Sequence, residues 1–169
     1  MRKITLITAT ASAMLLAACG SSDEGTIVTE DGETVEYDVD SDGGDAQITM
    51  RGEDGEEVVI NSGSGASGVD LPDGYSLYPG ASVVSTATIN QADGQGTMVM
   101  MQSDASPEDM VSFYRSQAEG AGITIQMEMT TNGNAMIAGE GEGGSSFSFN
   151  ATPSDDGTLG QLMIGRELN

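Results

Sequence analysis

The chain has no histidine and no tryptophan, and it has only one cysteine, Cys19, and one lysine, Lys3. Histidine is the commonest general base and metal ligand in proteins, and lysine and cysteine are frequent nucleophiles. A pair of carboxylates could still hydrolyse a glycosidic bond. Such sites usually lie in an aromatic-lined cleft, for which a chain with three Phe and four Tyr has little material. We therefore expect a protein that is not an enzyme.

Basic residues are also scarce, since 27 acids face 5 bases and the net charge is −22. Without residues 1–18, which contain Arg2 and Lys3, the net charge is 3 − 27 = −24. Such a surface repels nucleic-acid phosphates, so we expect no nucleic-acid partner. The acidity leaves two explanations open: attraction of cations or basic proteins, and solubility alone.

The amino terminus is typical of an export signal. Charged residues precede an uncharged run over 4–16, which is too short to span a bilayer, and small residues precede Cys19. The end of this signal resembles the lipobox that lipoprotein signal peptidase reads, in the residues Leu16-Ala17-Ala18-Cys19. The resemblance implies cleavage before Cys19, a diacylglycerol thioether on its sulfur, and an acylated new amino terminus. Several acyl chains together hold a protein stably on a membrane.

The residue after the cysteine sorts such lipoproteins between membranes, and aspartate there retains them at the inner membrane. This chain has Gly20 at that position. The resemblance therefore implies attachment at the periplasmic face of the outer membrane, through the lipid on Cys19.

Residues 19–60 form an acidic segment, because 14 of the 27 acids lie between Asp23 and Glu57. Two stretches, 30–35 and 53–58, match at a spacing of 23 residues. Each places a Gly-containing turn between short β-favouring runs, so we interpret them as two β-hairpins of a stalk. Their apolar content is thin, and we expect them to be ordered only by pairing with each other or with the following domain.

Residues 61–68 are predicted to be a Gly/Ser linker, and residues 69–169 are long enough for an independent core. Ser106 and Pro107 predict the start of a helix, and Gly122 predicts its end. The helical period places on one face Met110, Val111, Tyr114, Ala118 and Ala121, of which we expect the first three to be buried against the sheet. Downstream, strict alternation over 123–129 predicts a strand whose wet face carries Thr124, Gln126 and Glu128. The fold class predicted is α+β: an antiparallel β-sheet with one packed α-helix in the order β-β-α-β-β-β, preceded by the acidic β-hairpin segment.

Several short motifs in residues 69–169 are similar to those of small uncharacterised envelope lipoproteins from sphingomonad-like Gram-negative bacteria. The resemblance rests on Leu71-Pro72-Asp73-Gly74, Tyr78-Pro79-Gly80-Ala81, Phe113-Tyr114-Arg115 and Gly120-Ala121-Gly122. It implies a host with two membranes. It transfers no activity and no site residue.

Asp38, Asp40, Asp42 and Asp45 are candidate metal ligands, because they begin a stretch that resembles a calcium loop. Position 12 of that loop is Thr49 where an EF-hand has glutamate, and neither flank is helical, so an EF-hand is excluded. A simpler calcium site built from the four aspartates stays open beside the interpretation that we favour, a solvated acidic turn. No other cofactor is expected.

Methionine is abundant, with 11 residues in the chain. Thioethers suit reduced copper in envelope proteins. The spacing nevertheless follows strand alternation, so we interpret as core packing the seven residues Met98, Met100, Met101, Met127, Met129, Met136 and Met163.

Our first functional hypothesis is a non-catalytic lipoprotein anchored in the outer membrane, which acts as an interaction or structural module. It would contact another envelope protein through an exposed sheet edge or through the wet face defined above. The rival hypothesis is an acidic ligand module that binds calcium or inhibits a basic envelope protein such as a lysozyme.

Overall fold

The computed structural model describes residues 23–28, 34–42, 44–52, 55–92 and 94–167. The structure is mostly β-strand, with 62% strand and 15% helix. The strands are β1 (Asp23–Val28), β2 (Thr34–Asp42), β3 (Asp45–Gly52), β4 (Glu57–Ser62), β5 (Ser82–Asn90), β6 (Gly94–Ser103), β7 (Thr124–Thr131), β8 (Asn134–Glu140), β9 (Ser146–Ser154) and β10 (Gly157–Glu167). The helices are α1 (Pro107–Gly120) and two 3-10 helices, Gly63–Gly68 and Glu142–Gly144.

All ten strands form one antiparallel sheet in the order β1-β2-β3-β4-β5-β6-β10-β9-β8-β7. Strands β1 to β6 follow the chain order, and the last four strands run back in reverse order. The chain must therefore cross from β6 to the far edge before β7 begins. Helix α1 makes this crossing and contacts β8, β9, β10 and β7 on the way.

Local signals set both ends of α1. The Ser106 hydroxyl accepts the backbone N–H of Asp109 at 3.2 Å, and Glu108 and Asp109 lie in the first turn, where the helix dipole favours negative charge. Gly122 follows the helix with φ of +85°, a conformation that costs glycine little. In the described residues, no helix combines the length and apolarity that a membrane crossing needs.

The hydrophobic core lies between α1 and one side of the sheet, which we call the helix face. Helix residues Met110, Val111, Tyr114 and Ala118 pack there against strand residues that include Val99, Ile137, Phe147, Phe149 and Leu162. Gly160 lies beneath the helix, and a Cβ on it would come within 2.9 Å of Met110 Cε. The absent side chain thus lets α1 sit close to the sheet. Burial of each large apolar side chain contributes about 1.5–3 kcal/mol.

The predicted α+β class, with the order β-β-α-β-β-β preceded by an acidic β-hairpin segment, is wrong. Four strands follow α1, and the described residues form a mainly β fold with one α-helix. The acidic strands β1 to β4 belong to the same sheet, because β4 pairs with β5 from Glu57 opposite Asn90 to Ser62 opposite Ser85. The physical reason is that an edge strand leaves backbone N–H and C=O groups unpaired, and pairing satisfies them even where few apolar side chains are available.

We interpreted residues 61–68 as a linker, but the first two of them belong to β4, and Gly63–Gly68 form a 3-10 helix that contacts β3, β4 and β5. Within it, Ala66 is fully buried.

Candidate functional site

Residues 69–81, the segment between the 3-10 helix and β5, dock on the carboxyl-terminal half of α1. The backbone N–H of Ser76 donates to Gln117 Oε1 at 3.0 Å, and Gln117 Nε2 donates to Ser76 Oγ at 2.7 Å. The Tyr78 N–H donates to the hydroxyl of Tyr114 at 3.0 Å. Tyr75 stacks on Phe147 with ring centroids 5.8 Å apart. These contacts fix the segment against α1 and against Phe147 of β9.

A cleft of about 480 Å³ lies between this segment, the end of α1 and the helix face of the sheet. Its apolar lining comes from Leu71, Ile123 and Ile164. Its floor carries polar side chains from three neighbouring strands: Thr88 and Asn90 from β5, Gln95 and Thr97 from β6, and Arg166 from β10. The register explains this grouping, because Thr88 pairs with Thr97, Thr97 with Ile164, and Gln95 with Arg166.

Tyr75 brings a buried polar atom to this cleft. Its hydroxyl is shielded from solvent and has no hydrogen-bond partner among the described residues. Burial also raises the pKa of the Tyr75 phenol above its ordinary value. An unsatisfied buried hydroxyl costs about 1–3 kcal/mol, so a ligand oxygen that reached it would recover stabilisation.

Arg166 brings positive charge to the same cleft. In the described part of the chain the other two arginines are paired, Arg51 with Glu57 at 2.9 Å and Arg115 with Glu128. No ion pair is found for Arg166 among these residues, and it is exposed at the cleft. A guanidinium in this position can donate to a ligand oxygen.

The predicted calcium ligands lie on the β2–β3 hairpin, outside the cleft. Asp38, Asp40 and Asp42 alternate along β2 and so point to one face of the sheet, and Asp42 pairs with Asp45 across the turn. Alternate residues of a strand are about 7 Å apart, which spreads these carboxylates along the hairpin. In the described residues, no group of three or more His, Cys, Asp or Glu side chains is placed to hold a metal ion. The calcium site stays a prediction. The predicted lipidation site, Cys19, lies outside the described residues.

The interpretation of seven methionines as core packing is wrong for six of them. Only Met101 is buried in the core. The other six lie on the side of the sheet opposite α1, which we call the open face, because each alternates with a helix-face residue on its strand: Met98, Met100, Met127, Met129, Met136 and Met163. Met127, Met129 and Met163 are 47%, 50% and 46% exposed. Methionine spacing identified the strands but could not tell which side of the sheet α1 would cover.

The wet face predicted for β7 is only partly right, because Thr124, Gln126 and Glu128 are all exposed but do not share one face of the sheet. The register of β7 against β8 shifts between Ile125 and Met127, which makes Gln126 the extra residue of a β-bulge. Ile125 packs against the core, and Glu128 reaches the helix-side Arg115, whereas Met127 and Met129 turn to the open face. A bulge reverses the faces of all residues that follow it.

The cleft residues Tyr75 and Arg166 were missed by the sequence reasoning. They are 91 positions apart, and neither belongs to a recognisable motif. One signal was available, since Arg166 is one of only three basic residues after position 18.

The START domain-like family matches residues 83–157, which run from β5 to the beginning of β10 and include α1. The match covers less than half of the 169 residues, so it is a similarity to that family. No curated protein and no solved structure matched the chain.

Proposed function

We propose that the protein is a non-catalytic lipoprotein, anchored at the periplasmic face of the outer membrane through Cys19, whose cleft binds a small amphipathic molecule. The observation that supports ligand binding is the unpartnered Tyr75 hydroxyl at a cleft of about 480 Å³. Ligand sites are typically clefts of about 300–1,000 Å³ with an apolar lining and few polar groups. The START domain-like similarity, which hints at a ligand-binding fold, supports the same reading.

The lining defines the class of ligand. Leu71, Ile123 and Ile164 would contact an apolar body, while the Tyr75 hydroxyl and Arg166 would donate to an oxygen-bearing head group. Asp70 and Asp73 also line the cleft, and the chain as a whole is strongly acidic, so an anionic ligand would be repelled. We therefore favour a molecule with a neutral oxygen head group.

Native mass spectrometry of the protein purified from cell envelopes tests this proposal. We expect a fraction of the protein to carry an additional mass beyond the acylated chain, and we expect Tyr75→Phe and Arg166→Gln to lower that fraction. Arg51→Gln is the matched control, because it removes the same charge from an ion pair outside the cleft. Equal occupancy in the three variants, or no adduct in the wild type, would refute the cleft as the site.

The anchor is tested separately. Cys19→Ser should leave an unprocessed precursor, since the lipobox requires the cysteine. A mature amino terminus elsewhere, without acyl mass in the membrane fraction, would contradict the proposal of a lipoprotein.

A second candidate function is the interaction module, and the edge strand β7 favours it. Seven of the eight residues of β7 are exposed, and among the described strands β7 pairs only with β8. An unpaired edge can accept a strand from a partner protein. A synthetic peptide of residues 123–131, added in excess, should then release a partner captured from envelope extract, whereas a scrambled peptide should not.

A further inference from the structure

The open face groups its methionines into two squares formed by cross-strand pairs. In the first square, Met98 of β6 lies opposite Met163 of β10, and the next pair on the same face joins Met100 to Gln161. In the second square, Met129 of β7 lies opposite Met136 of β8, and Met127 pairs with Ala138. Each square therefore has three thioethers at its four corners.

The dimensions of a sheet bring these sulfurs within reach of one point. Directly opposed residues have Cβ atoms about 4.5–5.5 Å apart, and alternate residues of one strand are about 7 Å apart. A methionine has three rotatable side-chain bonds, so three neighbouring thioethers can converge without backbone movement. One of these sulfurs already lies near the centre of its square. Gln161 Nε2 donates to Met98 Sδ at 3.1 Å, so the Met98 sulfur is close to the Met100–Gln161 pair.

The surroundings leave the thioethers accessible. α1 covers the opposite side of the sheet, and three of the six methionines are about half exposed. Met98, Met127 and Met163 also line a groove of about 380 Å³ that crosses this face. Core methionines that only fill space would be enclosed, as Met101 and Met110 are.

We propose that the open face binds two soft monovalent ions, Cu(I) or Ag(I), one on Met98, Met100 and Met163 and one on Met127, Met129 and Met136. Thioethers are soft, uncharged ligands that select Cu(I) over calcium, magnesium and zinc. They carry no proton at neutral pH, so binding does not weaken through protonation of the ligand as the pH falls toward 5, unlike binding to carboxylates. The site is independent of the cleft and of the ligand proposed for it.

Titration of the protein purified from membranes with Ag(I) in a maltoside detergent tests the proposal, with the methionine methyl groups labelled with ¹³C. A Cys19→Ser variant, which has no thiol that could bind Ag(I), should give the same stoichiometry. We expect saturation at two ions per chain, and shifts confined to the methyl signals of the six methionines while Met101 and Met110 stay unchanged. A competition with a Cu(I) chelator under argon should give the same stoichiometry. The wild-type spectrum answers the question even if a variant fails to fold.

Leucine substitutions separate ion binding from a merely apolar role of the face, because leucine keeps the volume and removes the sulfur. Met98→Leu with Met163→Leu should leave one ion per chain, and Met129→Leu with Met136→Leu should remove the other. Met50→Leu is the control, since Met50 shares this face but its cross-strand neighbours are Tyr37 and Val58. No saturable binding, equal shifts at all methionines, equal binding of Zn²⁺, or an unchanged stoichiometry in both double variants would overturn the proposal.

Discussion

Tyr114 and Tyr75 differ in what their hydroxyl groups do. The Tyr114 hydroxyl accepts the N–H of Tyr78 at 3.0 Å and donates to Met101 Sδ at 3.1 Å, whereas the Tyr75 hydroxyl has no partner among the described residues. Tyr114→Phe should lower the free energy of unfolding by about 1–3 kcal/mol, because it leaves a backbone donor unpaired. Tyr75→Phe should be neutral or stabilising. Urea unfolding of both variants checks this pair, and equal losses would contradict the hydrogen-bond assignment.

The same tyrosines predict how stability responds to alkali. Burial raises the pKa of Tyr114 to about 12 from the ordinary 10.0, although the hydrogen bond from Tyr78 lowers it in part. Above the ordinary pKa the unfolded chain loses this proton while the folded protein keeps it, so the free energy of unfolding should fall as the pH rises from about 10 to about 12. Below that window Tyr114 contributes no pH dependence.

Tyr114→Phe provides the control for this alkaline loss. Urea unfolding at several pH values should show a shallower decline in the variant than in the wild type. An identical decline in both proteins would mean that another group titrates.

At the scale of the element, the bulge in β7 changes which side chains of this strand are buried, compared with regular alternation. Ile125 packs against the core and Met129 is 50% exposed, although both are odd-numbered residues of one strand. Ile125→Thr should cost about 1–3 kcal/mol by placing a hydroxyl against apolar neighbours. Met129→Thr should change stability by less than about 0.5 kcal/mol. Similar losses in thermal or urea unfolding would show that the two side chains share one face.

The helix and the bulge differ in how far the sequence could predict them. The Ser106 cap, Pro107, the helical period and Gly122 all act within the chain segment that they describe, and α1 lies where these signals predicted it. The bulge depends on how β7 meets β8, so no signal inside 123–129 reports it. Ala121, which the helical period places on the apolar face, caps the helix and is exposed.

At the scale of the whole molecule, the continuous sheet predicts the result of a truncation. The apolar residues packed between α1 and the sheet all lie after position 68, so a chain without residues 20–62 should still fold. It would expose the edge of β5 that β4 normally covers. We therefore expect self-association, measured by size-exclusion chromatography with light scattering, because exposed strand edges pair with other chains.

A lysine at the new edge is the matched control for this truncation. Thr88→Lys in the shortened chain should restore a monomer, because charged side chains on edge strands oppose pairing. A shortened chain that is monomeric without the lysine would show that the exposed edge of β5 does not cause self-association.

The sequence alone determined what depends on neighbouring residues or on composition: the ends of α1, the strand character of most of the described residues, and the strongly acidic charge. The export signal and lipidation at Cys19 stay predictions. The tertiary structure decided the rest. Three features depend on contacts between distant segments: the pairing of the acidic strands with the main sheet, the position of six methionines on the open face, and the presence of both Tyr75 and Arg166 at the cleft. Sequence patterns give the period of a strand, but only the position of α1 decides which face becomes core and which stays accessible.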